Sequence, residues 1–263
     1  MRELSTDGTS EGGQLFESVR QTVEEFGLIS PGDRILVAFS GGKDSVVLLH
    51  VLEFLRREKD SSFSLLAVHV DEGFAGNGRA GAVREHLASS GVEHHVQNTS
   101  IARLLEEKLG PEENRCPLCS RLRRGALYKL APELGCNKIA LGHQLEDLIE
   151  TLLLNLFFSG QLKSMPPLLR SDDGRNTVIR PLACVPEAEV AAYAEEHGLP
   201  VIVSGCLHFE SRADNQRLEI KRMLERLEKE HPGSKRSALE ALKNVVPGKL
   251  LDLAYLQGPK KSG

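Results

Sequence analysis

The feature that most constrains this chain is the run Ser40-Gly41-Gly42-Lys43-Asp44-Ser45, which lies between an apolar segment and an amphipathic one. The preceding segment, Arg34–Phe39, is almost continuously apolar and rich in β-branched residues, which predicts a short buried strand. The following segment, Val46–Leu55, repeats apolar residues at helical spacing. A strand that enters a helix through a glycine-rich turn presents backbone N–H groups and the positive helix end to an anion. The run therefore predicts a phosphate-binding loop.

Each position of this loop suits a phosphate site. The glycine pair lets the backbone approach a phosphate closely, and the two serines offer hydroxyl donors. Lys43 adds a positive charge, and Asp44 can cap the helix and contact Mg²⁺. The spacing is shorter than that of the G-x-x-x-x-G-K-[ST] loop of the P-loop ATPases. An ordinary glycine-rich turn that caps a core helix is the alternative interpretation.

Strands and helices alternate along the chain, starting with the strand that enters the loop. This order predicts an α/β fold with a doubly wound parallel sheet. The predicted strands are Arg34–Phe39, Phe63–Val70, His94–Gln97, Lys138–Leu141, Thr177–Leu182 and Leu199–Val203.

The length of 263 residues suits one such domain with additions. We expect a flexible tail over residues 1–13, a single α/β domain over 14–256 and a second flexible tail over 257–263. Within the domain we expect an N-terminal helix, a cysteine-bearing insert around 110–130 and a C-terminal helical region over 212–250.

Composition limits the compartment and the partners. No apolar run reaches the length of a membrane span and the N-terminus has no signal-peptide core, so we expect a cytoplasmic protein with no membrane partner. The formal net charge of −4 does not indicate nucleic-acid binding. Two local basic clusters could nevertheless contact phosphates, with solvated helix faces as the alternative. They are Arg121, Arg123, Arg124 and Lys129, and Arg217, Lys221, Arg222 and Arg226.

The five cysteines are an odd number without disulfide-framework spacing, which indicates metal or redox chemistry. Cys116 and Cys119 form a C-x-x-C pair at a predicted loop-to-helix junction, where two thiolates lie on one side. The residues alone leave zinc, an iron–sulfur cluster and a redox pair open. We expect Cys136 and Cys184 to be buried small hydrophobic residues.

Polar side chains follow two further predicted strands. Asp71 comes directly after the second strand, and His143 comes after the fourth. Because α/β sheets bind ligands at the carboxyl ends of their strands, Asp71 is a candidate ligand-binding residue, with a solvated loop carboxylate as the alternative. The next helix opens with Glu146, Asp147 and Glu150. These residues could contact Mg²⁺ or a ribose; the alternative is that they only compensate the helix dipole.

Three motifs in this order resemble one known family. They are SGGKDS, the pair CPLC followed by SRLRRG, and GHQLEDLIETLLLN leading to MPP and VIRPL. SGGxDS resembles the PP-loop of the ATP pyrophosphatases, and the ordered set resembles the tRNA 2-thiocytidine synthetases, the TtcA-type PP-loop sulfur transferases. The resemblance runs from about Phe16 to about Leu250 and is most specific over Cys116–Gly125, Lys138–Asn155 and Val178–Leu182.

The resemblance implies an adenine-nucleotide α-hydrolase-like (HUP) fold with helical additions. It also implies an enzyme that uses ATP and Mg²⁺ to adenylate the C2 carbonyl oxygen of cytidine 32 in the tRNA anticodon loop and then replaces that oxygen with sulfur. A [4Fe–4S] cluster on three cysteines and a cysteine desulfurase as sulfur donor belong to the same implication. A homodimer stays open, since members of the family are often dimeric.

Site residues follow from the resemblance by matching motif. The implied cluster ligands are Cys116, Cys119 and Cys206. The implied catalytic residues are Lys43, Asp44, Lys138 and Asp147. The implied nucleotide-binding residues are Ser40, Gly41, Gly42, Lys43, Asp44, Ser45 and His143, and Asp71 joins them because of its place after the second predicted strand.

The chain departs from the family pattern at two places. Glu146 stands where the family commonly has the first Asp of GHxxDD, and this longer carboxylate could shift an Mg²⁺ contact. Only Cys206, followed by His208, stands where a second C-x-x-C is common, so a closed Cys₃His zinc site with Cys116 and Cys119 is a rival. The motifs also leave open a 2-thiouridine or lysidine synthetase, a zinc-stabilised RNA-binding protein with a degenerate nucleotide site, and a cluster-based redox protein.

Overall fold

The computed structural model describes residues 11–57, 62–74, 79–110, 113–171, 173–202 and 215–251. Within these ranges, none of the helices is both long and apolar enough to cross a membrane. Residues 11–13, expected in a tail, belong to the first helix. The strands are β1 (Arg34–Ala38), β2 (Ser64–Asp71), β3 (His94–Asn98), β4 (Lys138–Ala140), β5 (Leu168–Arg170) and β6 (Thr177–Ile179). The α-helices are α1 (Glu11–Glu25), α2 (Lys43–Arg57), α3 (Arg79–Ser90), α4 (Ile101–Lys108), α5 (Cys116–Glu133), α6 (Leu145–Leu154), α7 (Glu187–Glu196), α8 (Asn215–Glu230) and α9 (Ser234–Lys243).

The described strands form one sheet in the order β3-β2-β1-β4-β6-β5. All neighbours are parallel except β5, which pairs antiparallel with β6. The predicted α/β class with a parallel sheet is therefore confirmed. The prediction of a strand over Leu199–Val203 is wrong for residues 199–202, which form no strand, and Val203 lies outside the described residues.

Apolar side chains cover both faces of the sheet, as parallel sheets require. Successive residues of β1 point to opposite faces: Ile35 and Val37 join the core under α1, α2 and α7, while Leu36 joins the core under α4 and α5. A third apolar cluster joins α6 to α8 and α9 through residues such as Leu148 and Leu224. The last two helices therefore pack on the helix that follows β4.

The parallel strands end at one edge of the sheet, here called the carboxyl edge. The glycine loop follows β1 there, and short polar segments follow β2, β4 and β6. Helix α5 runs antiparallel to the strands. Its end lies near the start of β1, where Arg34 Nε donates a hydrogen bond to the carbonyl of Leu134 at 3.2 Å. The first turn of α5, with Cys116 and Cys119, therefore lies at the carboxyl edge.

Candidate functional site

The backbone of the glycine loop leaves no room for side chains at Gly41. This residue has φ +82°, and an added Cβ would lie 3.0 Å from Val83 Cγ2 and 3.2 Å from Ile202 Cβ. The carbonyl of Gly41 accepts a hydrogen bond from Ile202 N at 2.8 Å. The segment predicted as a sixth strand therefore runs along the loop and holds it in shape.

The two loop serines bond within the loop. Ser45 Oγ donates to Gly42 O at 2.8 Å and accepts from Ser40 N at 3.2 Å. Ser40 Oγ accepts from Gly42 N at 3.3 Å, which curls the backbone around the hydroxyl. These bonds keep the loop preformed ahead of α2, whose first turn holds Asp44.

Lys43 and Asp44 are the loop groups that a ligand would satisfy. Lys43 Nζ lies 2.9 Å from Asp44 Oδ1 and 3.5 Å from Glu187 Oε1. Among the described residues, both the ammonium and Asp44 Oδ1 are buried without a partner in hydrogen-bond geometry. Burial raises the pKa of the Asp44 carboxyl, although the adjacent ammonium opposes the shift. Buried polar groups left in this state are costly, so the pair fits an anionic ligand with its counter-cation.

The segment after β4 packs directly on the loop. An added Cβ on Gly142 would lie 3.1 Å from the carbonyl carbon and oxygen of Asp44. The next residue, His143, accepts a bond on Nδ1 from Arg180 Nε at 3.2 Å. Burial, followed by the positive charges of Arg180 and Arg217, lowers the pKa of His143 to about 4. The imidazole is therefore neutral near pH 7.

Gly142→Ala tests this close packing. We expect the added methyl group to push the first turn of α2 away from β4 and to weaken ATP binding about tenfold, because overpacking costs on the order of 1–3 kcal/mol. Calorimetric titration with a non-hydrolysable ATP analogue measures the change. Gly125→Ala is the control, since nothing lies within 4 Å of an added Cβ there. Unchanged affinity in the Gly142 variant would contradict the described contact.

Two carboxylates of α6 share one arginine from α8. Asp147 Oδ1 lies 3.4 Å from Arg217 Nη2, and Glu150 Oε2 lies 3.0 Å from Arg217 Nε. Asp147 Oδ2 also accepts from Gln144 N at 3.1 Å and so caps the helix. Burial raises the pKa of both carboxyl groups, while Arg217 opposes the shift. After burial, the negative charge of Asp147 also contributes to the raised pKa of Asp44, so the two carboxylates lie close to each other.

Glu146 does not join this acidic pair. One of its oxygens accepts from Lys235 Nζ at 3.0 Å, and the other accepts from the backbone N of Glu187 at 2.8 Å. The side chain thus ties α6 to α7 and α9. Because both oxygens bind protein groups, the expected shift of an Mg²⁺ contact by the longer side chain finds no support in this geometry.

Two acidic residues lie at the end of β2 at the same edge: Asp71 is its last residue and Glu72 follows it. Asp71 accepts from Gly73 N at 3.0 Å and lies 3.5 Å from Arg84 Nη2. Glu72 is buried and lies 3.1 Å from Arg123 Nη1 of α5. Glu72 was not among the predicted site residues, although its position next to Asp71 at a strand end carried the same signal. The Glu72–Arg123 pair fixes the cysteine-bearing helix against the sheet.

Lys138 is not brought to the carboxyl edge. It begins β4, level with Ile35 near the start of β1. Its Nζ lies 2.6 Å from Asp33 Oδ2 and donates to Leu28 O at 2.8 Å. The structure therefore separates Lys138 from the glycine loop, and this placement corrects its assignment to the nucleotide site.

Lys138→Met tests the correction. We expect a loss of about 3 kcal/mol in the free energy of unfolding, because the buried Asp33 carboxylate loses its countercharge. Burial works to raise the pKa of Asp33, but bonds from Lys138, Ser30 and Asn137 outweigh it and lower that pKa. The stabilisation is thus present above the ordinary pKa near 4 and is lost as pH falls through the lowered value.

Urea unfolding between about pH 3 and pH 7 measures this effect, and we expect the variant to show a weaker pH dependence than the parent protein. ATP-dependent AMP formation, measured below the unfolding temperature, should stay within about twofold of the parent rate. A large fall in AMP formation by a folded variant would return Lys138 to the active site.

The cysteine pair opens α5 as predicted. Cys116 N donates to Asn114 Oδ1 at 3.1 Å, and Cys119 N donates to Arg115 O at 3.0 Å. The side chain of Cys116 is exposed and that of Cys119 is half-buried. The proposed third ligand, Cys206, and the rival His208 lie outside the described residues. Within the described ranges, no group of three or more His, Cys, Asp or Glu side chains is placed to hold a metal ion.

The two remaining cysteines pack among apolar side chains. Cys136 is buried in the core under α5, which confirms its prediction, and Cys184 is partly buried against the α6 cluster. Burial raises the pKa of both thiols. Neutral, enclosed thiols are poor nucleophiles and poor metal ligands.

In each predicted basic cluster, some side chains pair with carboxylates of the site and the others are exposed on the surface. Arg217 and Arg123 bind the carboxylates described above, and Lys221 Nζ lies 3.0 Å from Glu187 Oε2. These cations position site residues and are not simply a stripe for an outside ligand. The remaining members of the two clusters are exposed, namely Arg121, Arg124, Lys129, Arg222 and Arg226.

A preformed glycine loop at the carboxyl edge of a parallel sheet, with partly buried carboxylates beside it, defines a nucleotide-binding α/β domain. The family model of the PP-loop domain matches residues 14–204. The tRNA-cytidine(32) 2-sulfurtransferase of Geobacter sulfurreducens is 49% identical over 240 residues, which cover 91% of this chain and 93% of that protein. The enzyme of the same name from Syntrophotalea carbinolica is 46% identical over 243 residues, which cover 91% and 93%.

The structure of the U34-tRNA thiolase NcsA from Methanococcus maripaludis with its [4Fe–4S] cluster superposes with a TM-score of 0.74. That match is 26% identical and covers 90% of this chain and 82% of that one. The chain belongs to the PP-loop domain family and, within it, to the family of the tRNA-cytidine(32) 2-sulfurtransferases. The resemblance found in the motifs is thereby confirmed.

Proposed function

We propose that this chain is an ATP-dependent tRNA sulfurtransferase that converts cytidine 32 of the anticodon loop to 2-thiocytidine. The observation that carries the proposal is the half-buried Lys43–Asp44 ion pair, which lies near Asp147 at the edge where the cysteine pair also lies. An ATP site and a sulfur site at one edge fit a reaction that needs both. The relatives of the same name support the identity of the base.

Activation of the base carbonyl is the first chemical task. The C2 oxygen of cytosine is a poor leaving group and must be activated before sulfur can replace it. It attacks the α-phosphorus of ATP, pyrophosphate leaves, and the oxygen becomes part of a phosphate ester. The loop N–H groups and Lys43 stabilise the negative charge that builds on the pyrophosphate. Sulfide then adds to C2, and AMP leaves with the original oxygen.

The residues fit Mg²⁺ in a site that also uses the nucleotide. Asp44 and Asp147 would hold the ion, and phosphate oxygens would complete its ligand set, as is usual for Mg²⁺. Bound Mg²⁺ would neutralise charge on the leaving pyrophosphate. Asp44 would hold the ion from the first turn of α2, and Asp147 would hold it from the capped start of α6.

The cysteine pair fits an iron–sulfur cluster. Cys116 and Cys119 lie one turn apart at the start of α5, where the positive helix end favours thiolates. With Cys206 they would hold three irons of a [4Fe–4S] cluster, and the fourth iron would be open to bind sulfide. The solved structure of NcsA carries a cluster of this type.

Asp71 and His143 complete the proposed nucleotide site.

The tRNA would bind over the carboxyl edge. Exposed arginines of α5 and α8 can contact its phosphates, and the target base would be turned out of its loop. A cysteine desulfurase as sulfur donor and a homodimer as the assembly are parts of the same proposal.

Anaerobic purification followed by an assay with purified tRNA tests the function. We expect about four irons and four sulfides per chain, and one AMP released for each 2-thiocytidine formed. A tRNA with uridine at position 32 is the control for the target base. One zinc per chain without iron would favour the Cys₃His site, and thiolation at another nucleotide would overturn the assignment of the substrate.

A further inference from the structure

His143 and Arg180 meet in the interior of the carboxyl edge. Arg180 directly follows β6 and is only 6% exposed. Its Nε donates to His143 Nδ1 at 3.2 Å, and its Nη1 donates to Pro166 O at 2.6 Å. Two acceptors from separate segments therefore fix the plane of the guanidinium group.

This contact determines where the imidazole proton lies. A guanidinium group has only donors, so Nδ1 of His143 must act as the acceptor. An imidazole nitrogen that accepts a hydrogen bond carries no proton, which leaves the single ring proton on Nε2. Among the described residues, the charges that act most strongly on this ring are those of Arg180 just after β6, Arg217 of α8, and Arg123 and Arg124 of α5. All are positive and disfavour a protonated ring.

The protonated nitrogen lies on the side away from Arg180. In the sheet, β4 lies between β6 and β1, so the segment that carries His143 lies between Arg180 and the glycine loop. Gly142, next to His143, already contacts the backbone of Asp44. None of the described residues bonds to Nε2. A fixed donor thus lies beside the loop with no protein acceptor in the described ranges.

We propose that Arg180 is a positioning residue that holds His143 as a neutral imidazole with its proton on Nε2, and that this N–H donates to an oxygen atom of a bound substrate. The identity of that oxygen rests on the proposed function: it is either a phosphate oxygen of ATP or the C2 carbonyl oxygen of the target base. A neutral N–H group can donate to either atom. It adds no charge to the site, whose positive charge comes from Lys43.

Nitrogen NMR of protein labelled with ¹⁵N-histidine tests the protonation state directly. We expect Nδ1 of His143 to be unprotonated and Nε2 to be protonated from about pH 6 to pH 8. The His143→Gln spectrum assigns the signal. A doubly protonated ring or a proton on Nδ1 would overturn the proposal. Because this measurement needs no tRNA, it gives its answer even if thiolation of cytidine 32 is not observed.

Arg180→Met and Arg180→Lys form a matched pair for the kinetics. Met removes the donor, and we expect kcat/KM for thiolation to fall roughly 10–100-fold, with loss of the fixed tautomer in the NMR spectrum. Lys can still donate to Nδ1 and should recover part of the loss. A higher KM for ATP would identify a phosphate oxygen as the acceptor, and a lower kcat with unchanged KM for ATP would identify the base carbonyl. Native kinetics in a folded Met variant would overturn the proposal.

Discussion

Replacing Cys119 by alanine is expected to abolish tRNA thiolation and to remove the bound iron. Under the proposed function, a [4Fe–4S] cluster held by only two of its three cysteines would not persist, and sulfide would have no binding site. The side chain is half-buried at the first turn of α5, so the same change should lower the free energy of unfolding of the cluster-free protein by only about 1 kcal/mol. Iron analysis, the visible spectrum and a thiolation assay measure the effect.

Cys136→Ala is the matched control for this result. Cys136 is also a free cysteine, but it is buried under α5, and this burial raises the pKa of its thiol. We expect its alanine variant to keep its iron and to thiolate tRNA at the parent rate, with a stability loss of about 1–2 kcal/mol from the small cavity. A Cys119 variant that kept a full complement of iron would exclude this cysteine as a ligand.

Asp147→Asn is expected to lower the rate of AMP formation by roughly 10²–10³-fold. The substitution keeps the oxygen that accepts from Gln144 N, so the helix cap survives, but it removes the charge that faces Asp44 and Arg217. We therefore expect the free energy of unfolding to change by less than about 1 kcal/mol. Single-turnover release of AMP and thermal unfolding separate the two effects.

Asp173→Asn, in the exposed hairpin between β5 and β6, is the control for a lost carboxylate far from the loop. Its bonds to Ser171 and Arg175 are local, so AMP formation should be unaffected. An Asp147 variant that formed AMP at the parent rate would show that the carboxylate has no part in nucleotide chemistry.

Local signals explain what the sequence could predict. The glycine loop depends on residues within one strand, one turn and one helix, so its pattern was complete in a short stretch. The position of Cys116 and Cys119 at a helix start likewise depends on neighbouring residues. The parallel sheet followed from the alternation of strands and helices, which is also readable along the chain.

Contacts between distant segments explain what the sequence could not predict. Lys138 was assigned to the site by family resemblance, within the motif that includes Gly142-His143. A strand begins and ends at opposite edges of a sheet, however, and Lys138 is at its beginning. The cations that bind Asp147, Glu150 and Glu146 come from α8 and α9, far along the chain. The segment 199–202 has the composition of a strand, yet Ile202 bonds to the loop and to no strand.

Because these cations lie on α8 and α9, the site extends beyond the part of the chain that the domain model matches. The PP-loop match ends at residue 204, whereas Arg217, Lys221 and Lys235 all lie beyond it. A chain shortened to the matched region would keep the glycine loop and every acidic residue around it, but would lose these three counterions together with the apolar cover of α6. The transferable unit of this site is therefore longer than the matched domain, and a fusion or transplant of the domain must carry α8 and α9 with it.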